Sequence, residues 1–321
     1  MELPIVLKTA IDVKTTGIKQ AQLLKASQNI SEKYKNESGR SKHLVNTSLE
    51  SLAYSIVRMP ATYGAVFTAL KHTLEFFEDE ITSFLDIGAG TGAASWAVYS
   101  QMGSKLSYTC LEREDAMISI ATEYMANEPS LKKAKWIKHD LLTAPLSYSA
   151  DLVIASYVLN ELDEESRFRV LNDLWSATQK LLIIVEPGTP IGFSQINLAR
   201  SIILGNGGSV IAPCPHNQKC MIGMDDWCHF TCRIARSKLH KFLKGGDAPY
   251  EDEKFSFIAF SKAPVRQATS RILRHPIKES GCITLKLCTV NGIITKKITK
   301  KQGELFKIAR KADCGDSFKI S

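Results

Sequence analysis

The stretch Phe84-Leu85-Asp86-Ile87-Gly88-Ala89-Gly90-Thr91-Gly92 constrains the fold more than any other. A short apolar run closes in a glycine-rich turn, and a helix-forming segment, 93–101, follows directly. Glycine permits positive φ and leaves no Cβ between the backbone and a ligand, so such a turn joins a strand to a helix at a binding crevice. The same alternation continues downstream. Apolar runs at 83–87, 106–111, 135–138, 152–156 and 181–186 are separated by helical periodicity at 116–127 and 164–178. This pattern predicts an α/β fold with a parallel sheet covered by helices on both faces.

Upstream, residues 1–80 read as a helical extension. Leu49, Leu52, Ala53, Ile56 and Val57 recur at helical spacing, Pro60 is expected to end or kink that helix, and 62–77 resumes the pattern. Residues 255–260 read as a returning strand, so 188–254 is expected to be a cysteine-rich, loop-like insertion. Residues 81–262 then form the main domain, and 263–321 a small basic β-rich domain with a hairpin at 282–290 and 293–298 around Asn291-Gly292.

The turn differs from the dinucleotide fingerprint G-x-G-x-x-G. Asp86 stands beside it, and a pyrophosphate disfavours a neighbouring carboxylate. S-adenosylmethionine carries an amino group and a sulfonium instead of phosphate and tolerates that acid. Glu112, at the end of the second strand, is placed for both ribose hydroxyls. Asp140, after the third, is placed for the adenine amino group. Asp86, Gly88, Gly90, Gly92, Glu112 and Asp140, in order on successive strand ends, are the candidate cofactor residues. Over about residues 80–260 the chain resembles class I S-adenosylmethionine-dependent methyltransferases, which implies that Rossmann-like sheet.

The acceptor is less defined. After the fourth strand, Ser156-Tyr157-Val158-Leu159-Asn160-Glu161-Leu162 lacks the paired prolines of amino-directed methyltransferases. Tyr157, Asn160 and Glu161 are pocket candidates without an assigned catalytic role. A cytosine-type nucleophile at Cys214 is rejected, because that residue falls inside a cysteine cluster.

The cluster is Cys214, Cys220 and Cys228, with Cys232 nearby. Buried apolar cysteines are the plain alternative to metal ligation. Four thiolates suit an iron–sulfur cluster or tetrahedral zinc. The spacing is looser than the C-x2-C pairs of zinc ribbons, which favours the cluster, while His216 and His229 keep zinc open.

Here a narrower resemblance emerges. Arg58-Met59-Pro60-Ala61-Thr62-Tyr63, Glu186-Pro187-Gly188-Thr189-Pro190, Cys214-Pro215-His216, Trp227-Cys228-His229-Phe230, Glu251-Asp252-Glu253-Lys254-Phe255-Ser256 and Leu287-Cys288-Thr289 are similar to the Rsm22 family. That family comprises methyltransferase-like bacterial proteins and mitochondrial small-ribosomal-subunit factors. The resemblance implies a [4Fe–4S] cluster on Cys214, Cys220, Cys228 and Cys288. Cys282 has the same strand parity as Cys288 and stays an alternative, as does Cys232. It also implies work on small-subunit rRNA. Methylation is the first expectation, and a non-catalytic assembly factor that binds rRNA and S-adenosylmethionine is the alternative.

Charge agrees independently. The chain has a net charge of +8, yet residues 263–321 hold 13 basic and 4 acidic residues, and the rest 28 and 29. Such concentration is the footprint of a nucleic-acid surface, or else a solvated face. Arg266, Arg271, Arg274, Lys296, Lys297, Lys300, Lys301, Arg310 and Lys311 are the candidates to track phosphates, and Arg233, Arg236, Lys238, Lys241 and Lys244 continue the basic surface. With 44% hydrophobic residues the chain is not disordered. No apolar run approaches the roughly 20 residues of a membrane span. Eight cysteines and an acidic N-terminal stretch without a basic flank lead to the expectation of a reducing, cytoplasmic, bacterial-type setting.

Overall fold

A computed structural model describes residues 1–37, 44–223 and 225–320. Residues 38–43, 224 and 321, which fall inside the ranges read above, lie outside the described residues.

The extension forms α1 (Ile5–Thr15), α2 (Gln20–Glu37), α3 (Ser48–Val57) and α4 (Met59–Leu74). A capping box starts α3: Glu50 N donates to Thr47 Oγ1 at 3.2 Å, and Thr47 N returns to Glu50 Oε2 at 3.2 Å. α3 ends at Val57, just before Pro60 as expected, and Pro60 then sits in the first turn of α4, where the missing N–H has no intrahelical partner to lose.

The alternating region forms β1 (Ser83–Ile87), α5 (Ala93–Met102), β2 (Ser107–Glu112), α6 (Asp115–Met125), β3 (Lys135–Lys138), β4 (Ala150–Ser156), α7 (Glu164–Ala177) and β5 (Thr178–Pro187). Then come α8 (Pro190–Gly205), β6 (Ser209–Ala212), β7 (Phe230–Ala235), α9 (Lys238–Lys244) and β8 (Tyr250–Ser261). The sheet order is β3-β2-β1-β4-β5-β8-β6, with β7 also on β8. β1 to β5 run parallel, and β8 returns antiparallel beside β5.

Strand alternation divides the core. Leu152, Ile154, Leu181, Ile183 and Val185 pack with Val66, Leu70 and Trp96 on one face. Val153, Ala155, Leu182 and Ile184 pack with Leu171, Leu174 and Ile203 on the other. β4 and β5 are therefore buried on both faces, as their apolar sequence requires. Chain order reverses between β1 and β4, which opens a crevice at their carboxyl ends.

Within 188–254 the structure departs from a loop-like insertion: α8 covers the sheet, and β6 and β7 pair with β8. Only the segment between β6 and β7 is irregular over its described residues.

The basic region forms β9 (Ser270–Ile272), β10 (Ile277–Glu279), β11 (Cys282–Thr289), β12 (Gly292–Thr299) and α10 (Glu304–Lys311). β10, β11 and β12 pair in that order, with β9 also on β11. Ile283, Leu285, Leu287 and Ile298 make its core with Ala309 and Phe318.

Candidate functional site

A cavity of about 210 Å³ sits at the switch point. Gly88 and Gly90 from the loop, Glu112, Asp140, Tyr157 and Glu161 line it. Gly90 has φ +54°, and a Cβ there would project into open space; a Cβ on Gly88 would come 2.7 Å from Val158 Cγ2. Both positions require glycine, one for backbone conformation and the other also for contact.

Glu112 is buried and accepts three backbone bonds: Gly90 N to Oε2 at 2.8 Å, and Arg113 N and Glu114 N to Oε1 at 2.8 and 2.9 Å. A carboxylate offers about four acceptor sites. One therefore remains for a ligand hydroxyl, not the two expected from sequence. Burial pushes its carboxyl up, against these backbone bonds. Asp140 accepts from Leu142 N at 2.9 Å.

Asp86 does not face the cavity. It is fully buried and accepts from Ser95 N at 3.0 Å and Ser95 Oγ at 2.7 Å, holding the start of α5. Burial pushes it to about 7. Gly92 also lies off the cavity lining, as the residue before α5, and Asn160 lies off it too.

The extension supplies part of the wall through Tyr34, Tyr54, Arg58 and Thr62, and β8 supplies Glu253. Burial pushes Tyr34 well above its usual value and Tyr54 to about 12. Glu161, raised by burial to about 7 and pulled back by Arg113, is hydrogen-bonded to Tyr34. Its side chain is 31% exposed, toward the cavity it lines, so the enclosure outweighs that nominal exposure. Carboxylates dominate these walls, a chemistry suited to a cationic ligand and unfavourable to phosphate. Arg58 and Glu253 belong to motifs visible in the sequence. Tyr34 and Tyr54 carried no signal there, because they reach the pocket only through the packing of α2 and α3.

A second cavity is lined by Cys214, Cys220, Cys228 and Cys288. The thiols act on one another: burial, then Cys214, Cys220 and Cys288, push Cys228 well above the usual range, and burial followed by Cys214 and Cys220 takes Cys288 to about 12. His216 Nε2 stands 3.8 Å from Cys288 Sγ. Among the described residues, no group of three or more His, Cys, Asp or Glu side chains is arranged to hold one metal ion. Cys232 lies elsewhere, in the core against α4, where a Cβ on Gly64 would approach its Sγ to 3.0 Å. Cys282 shares a face of β11 with Cys288, but six residues of strand separate them by about 20 Å.

The family described as mitochondrial small ribosomal subunit Rsm22 matches residues 48–319. The chain belongs to the Rsm22 family. The human ribosome assembly protein METTL17, mitochondrial, is 26% identical over 290 residues, covering 83% of this chain and 62% of that protein. The Rsm22-cox11 tandem protein 2, mitochondrial, of Schizosaccharomyces pombe is 26% identical over 348 residues, covering 91% and 45%. The chain thus spans about half to under two thirds of the length of these curated relatives. Among solved structures, magnesium protoporphyrin IX methyltransferase from Synechocystis PCC 6803 with bound SAH shares 14% identity, covers 74% of this chain and 100% of that one, and has a TM-score of 0.42. The N-methyltransferase NodS from Bradyrhizobium japonicum WM9, in complex with S-adenosyl-l-homocysteine, shares 11%, covers 74% and 99%, and has a TM-score of 0.43. Its strand order, with parallel β1 to β5 and antiparallel β8, makes the fold of this Rsm22 protein Rossmann-like.

The basic face needs one correction. Arg271 is 0% exposed and meets no solvent; it donates to Pro213 O at 2.9 Å and Gly315 O at 3.0 Å inside the protein. Arg274 is ion-paired with Asp226, which also takes Lys286 at 2.8 Å. Arg233 pairs with Asp252 at 2.7 Å, and Arg236 and Lys244 pair with Glu251 at 3.3 and 2.8 Å, so those charges are already compensated. Lys238 is exposed at the start of α9, and Lys241 is half-buried within it. Arg266, Lys297, Lys300, Lys301, Arg310 and Lys311 are exposed, and Lys296 is half-buried. Among the described residues, no helix is long and apolar enough to cross a membrane.

Proposed function

We propose that this protein is an assembly factor for the small ribosomal subunit that binds rRNA, holds S-adenosylmethionine and carries an iron–sulfur cluster. The observation that carries this reading is that Tyr34, Tyr54 and Arg58 of the helical extension wall the same pocket as Gly90. That wall, with Glu161 and Glu253, stands around the space in which an acceptor would have to meet a cofactor seated on Gly88 and Gly90. A base taken out of its stack needs a pocket of its own beside the cofactor. The name of the human relative, a ribosome assembly protein, agrees. Methylation of rRNA, the first expectation from sequence, stays the second reading beside it.

In this reading Gly88 and Gly90 receive the methionine end of S-adenosylmethionine, Glu112 one ribose hydroxyl and Asp140 the adenine amino group. Asp86 and Gly92 shape the loop from outside. The open space over Gly90 and the acidic walls fit that cation. Bound there, it supplies an electrophilic methyl group. Methyl transfer is the second reading, supported by Tyr157, which keeps a left-handed backbone at the pocket, the kind of strain held at functional sites.

The [4Fe–4S] cluster would rest on Cys214, Cys220, Cys228 and Cys288. Four cysteines line one cavity, and thiols placed around a cavity suit a multi-atom core better than the zinc ion that is the alternative. Such a site ties the segment between β6 and β7 to β11. It needs a reducing compartment, whether the cytoplasm expected here or the mitochondrion named for the relatives. Arg266, Lys296, Lys297, Lys300, Lys301, Arg310 and Lys311 would track rRNA phosphates.

The test is a strain lacking the protein, with small-subunit particles profiled and every methylated position of their RNA mapped. Accumulated precursors with all marks intact support assembly. A missing mark that wild-type protein restores and Gly90→Asp does not would establish methyl transfer instead.

A further inference from the structure

Two arginines reach the four-thiol cavity from within the protein. Arg200 of α8 is 4% exposed, Arg271 of β9 is 0% exposed, and both line that cavity with the cysteines. A buried guanidinium is costly without compensating charge or a full set of acceptors.

Each is held from one side. Arg200 Nε donates to Gln218 O at 3.1 Å and Nη2 to His216 O at 2.8 Å. Arg271 Nε donates to Pro213 O at 2.9 Å, and Nη1 reaches Gly315 O at 3.0 Å and Glu75 Oε2 at 3.4 Å. Arg200 Nη1 and Arg271 Nη2 are buried and have no hydrogen-bond partner. The backbone thus fixes both side chains, with one nitrogen of each left unmatched.

Arg200 also sets an imidazole. Its Nη2 lies 3.3 Å from His216 Nδ1. A guanidinium only donates, so Nδ1 accepts and the ring proton sits on Nε2, the nitrogen 3.8 Å from Cys288 Sγ. His216 thus stands between Arg200 and Cys288, the kind of outer hydrogen-bonding group that surrounds the ligands of metal sites.

We propose that Arg200 and Arg271 are the resident counter-charges of the group held by Cys214, Cys220, Cys228 and Cys288, and that they raise its reduction potential. The inference rests on the cluster reading above. Four thiolates around an oxidised [4Fe–4S] core with two positive charges leave a net charge of −2, which two guanidinium groups match; reduction adds a further negative charge that they stabilise.

The experiment uses the full chain purified without oxygen, with iron content measured and the cluster titrated against dithionite. In Arg200→Met and Arg271→Met, the reduced-to-oxidised ratio at a fixed potential is expected to fall at least about tenfold, a shift of about 59 mV for one electron. Arg200→Lys and Arg271→Lys, which keep the charge, are expected to stay close to wild type. If the Met variants lose their iron and the Lys variants keep it, the requirement for charge stands. Clusters retained at an unmoved potential in the Met variants would overturn the inference. So would equal loss of iron from the Lys and Met variants, which would make the arginines struts. Wild-type protein without iron would overturn the cluster reading itself, before any variant is made.

Discussion

The Tyr157 hydroxyl donates to Glu253 Oε1 at 2.8 Å, joining the end of β4 to β8 at the pocket wall. Tyr157 has φ 61°, the one positive φ outside glycine among the described residues. Burial raises the Glu253 carboxyl, and the Tyr157 bond opposes that rise. Tyr157→Phe keeps the ring and removes the donor. A loss of about 1–3 kcal/mol in stability is expected from urea unfolding, because Glu253 then lacks its partner. An unchanged midpoint would show that the pair is idle.

The cofactor site has its own test in Glu112. Glu112→Ala removes an acceptor for the ligand and also frees Gly90 N, which the carboxylate holds at 2.8 Å. Calorimetry should show S-adenosylmethionine affinity down by at least about tenfold, in line with roughly 1.5–3 kcal/mol for a bond to a charged group. Unaltered affinity would remove Glu112 from the site.

Acidic pKa values give the protein a pH dependence of known sign. Glu186 is fully buried, accepts from Leu159 N at 2.8 Å through Oε1, and leaves Oε2 without a partner. Burial pushes it from 4.5 to about 8. Between those values the folded chain keeps a proton that the unfolded chain has released, so stability is full below about pH 4.5 and falls as pH rises toward 8. Glu186→Gln, neutral throughout, should flatten that fall by an amount on the order of a few kcal/mol. Urea midpoints between about pH 5 and 8 in both proteins would show it. Parallel curves would mean that Glu186 ionises normally.

The sheet was legible because β1, β4 and β5 are buried on both faces and their apolar runs leave little choice of element. The strand 83–87 and the strand 135–138 coincide with β1 and β3. The regular elements inside 188–254 are short, and the inward residues of β7, Phe230, Cys232 and Ile234, overlap the cysteine-rich stretch. Those three alternate with Thr231 and Arg233 and all turn inward on β7, which puts Cys232 in the core. Arg271 failed for a different reason. Counting basic residues cannot distinguish a side chain facing water from one bonded to Pro213 and Gly315, residues far from it in sequence.

The corrected basic face makes a graded prediction for rRNA binding. Lys297→Glu, Lys300→Glu and Lys301→Glu should each weaken binding to a small-subunit rRNA fragment across sequences and lower the salt slope by about one. Lys244→Glu, at a lysine already paired with Glu251, should matter less. Equal effects at all four positions would indicate general electrostatics and no docking face.

The four-thiol site tests the architecture itself. The segment between β6 and β7 has no sheet of its own, and Cys288 lies across from it on β11. Ligation would turn metal-binding free energy into folding free energy for both. Protein purified without oxygen should be brown with about four irons per chain. Cys214→Ser, Cys220→Ser, Cys228→Ser and Cys288→Ser should each bleach it and expose residues 213–229 and the β11–β12 turn to protease. Cys282→Ser should keep the colour, since about 20 Å of strand separates it from Cys288. Cys110→Ala and Cys232→Ala should keep it too, because both side chains are buried away from the cavity. A colourless protein with one tightly bound zinc would keep the ligands and discard the cluster. Bleaching by Cys282→Ser or Cys232→Ala, with Cys288→Ser still brown, would move the fourth ligand.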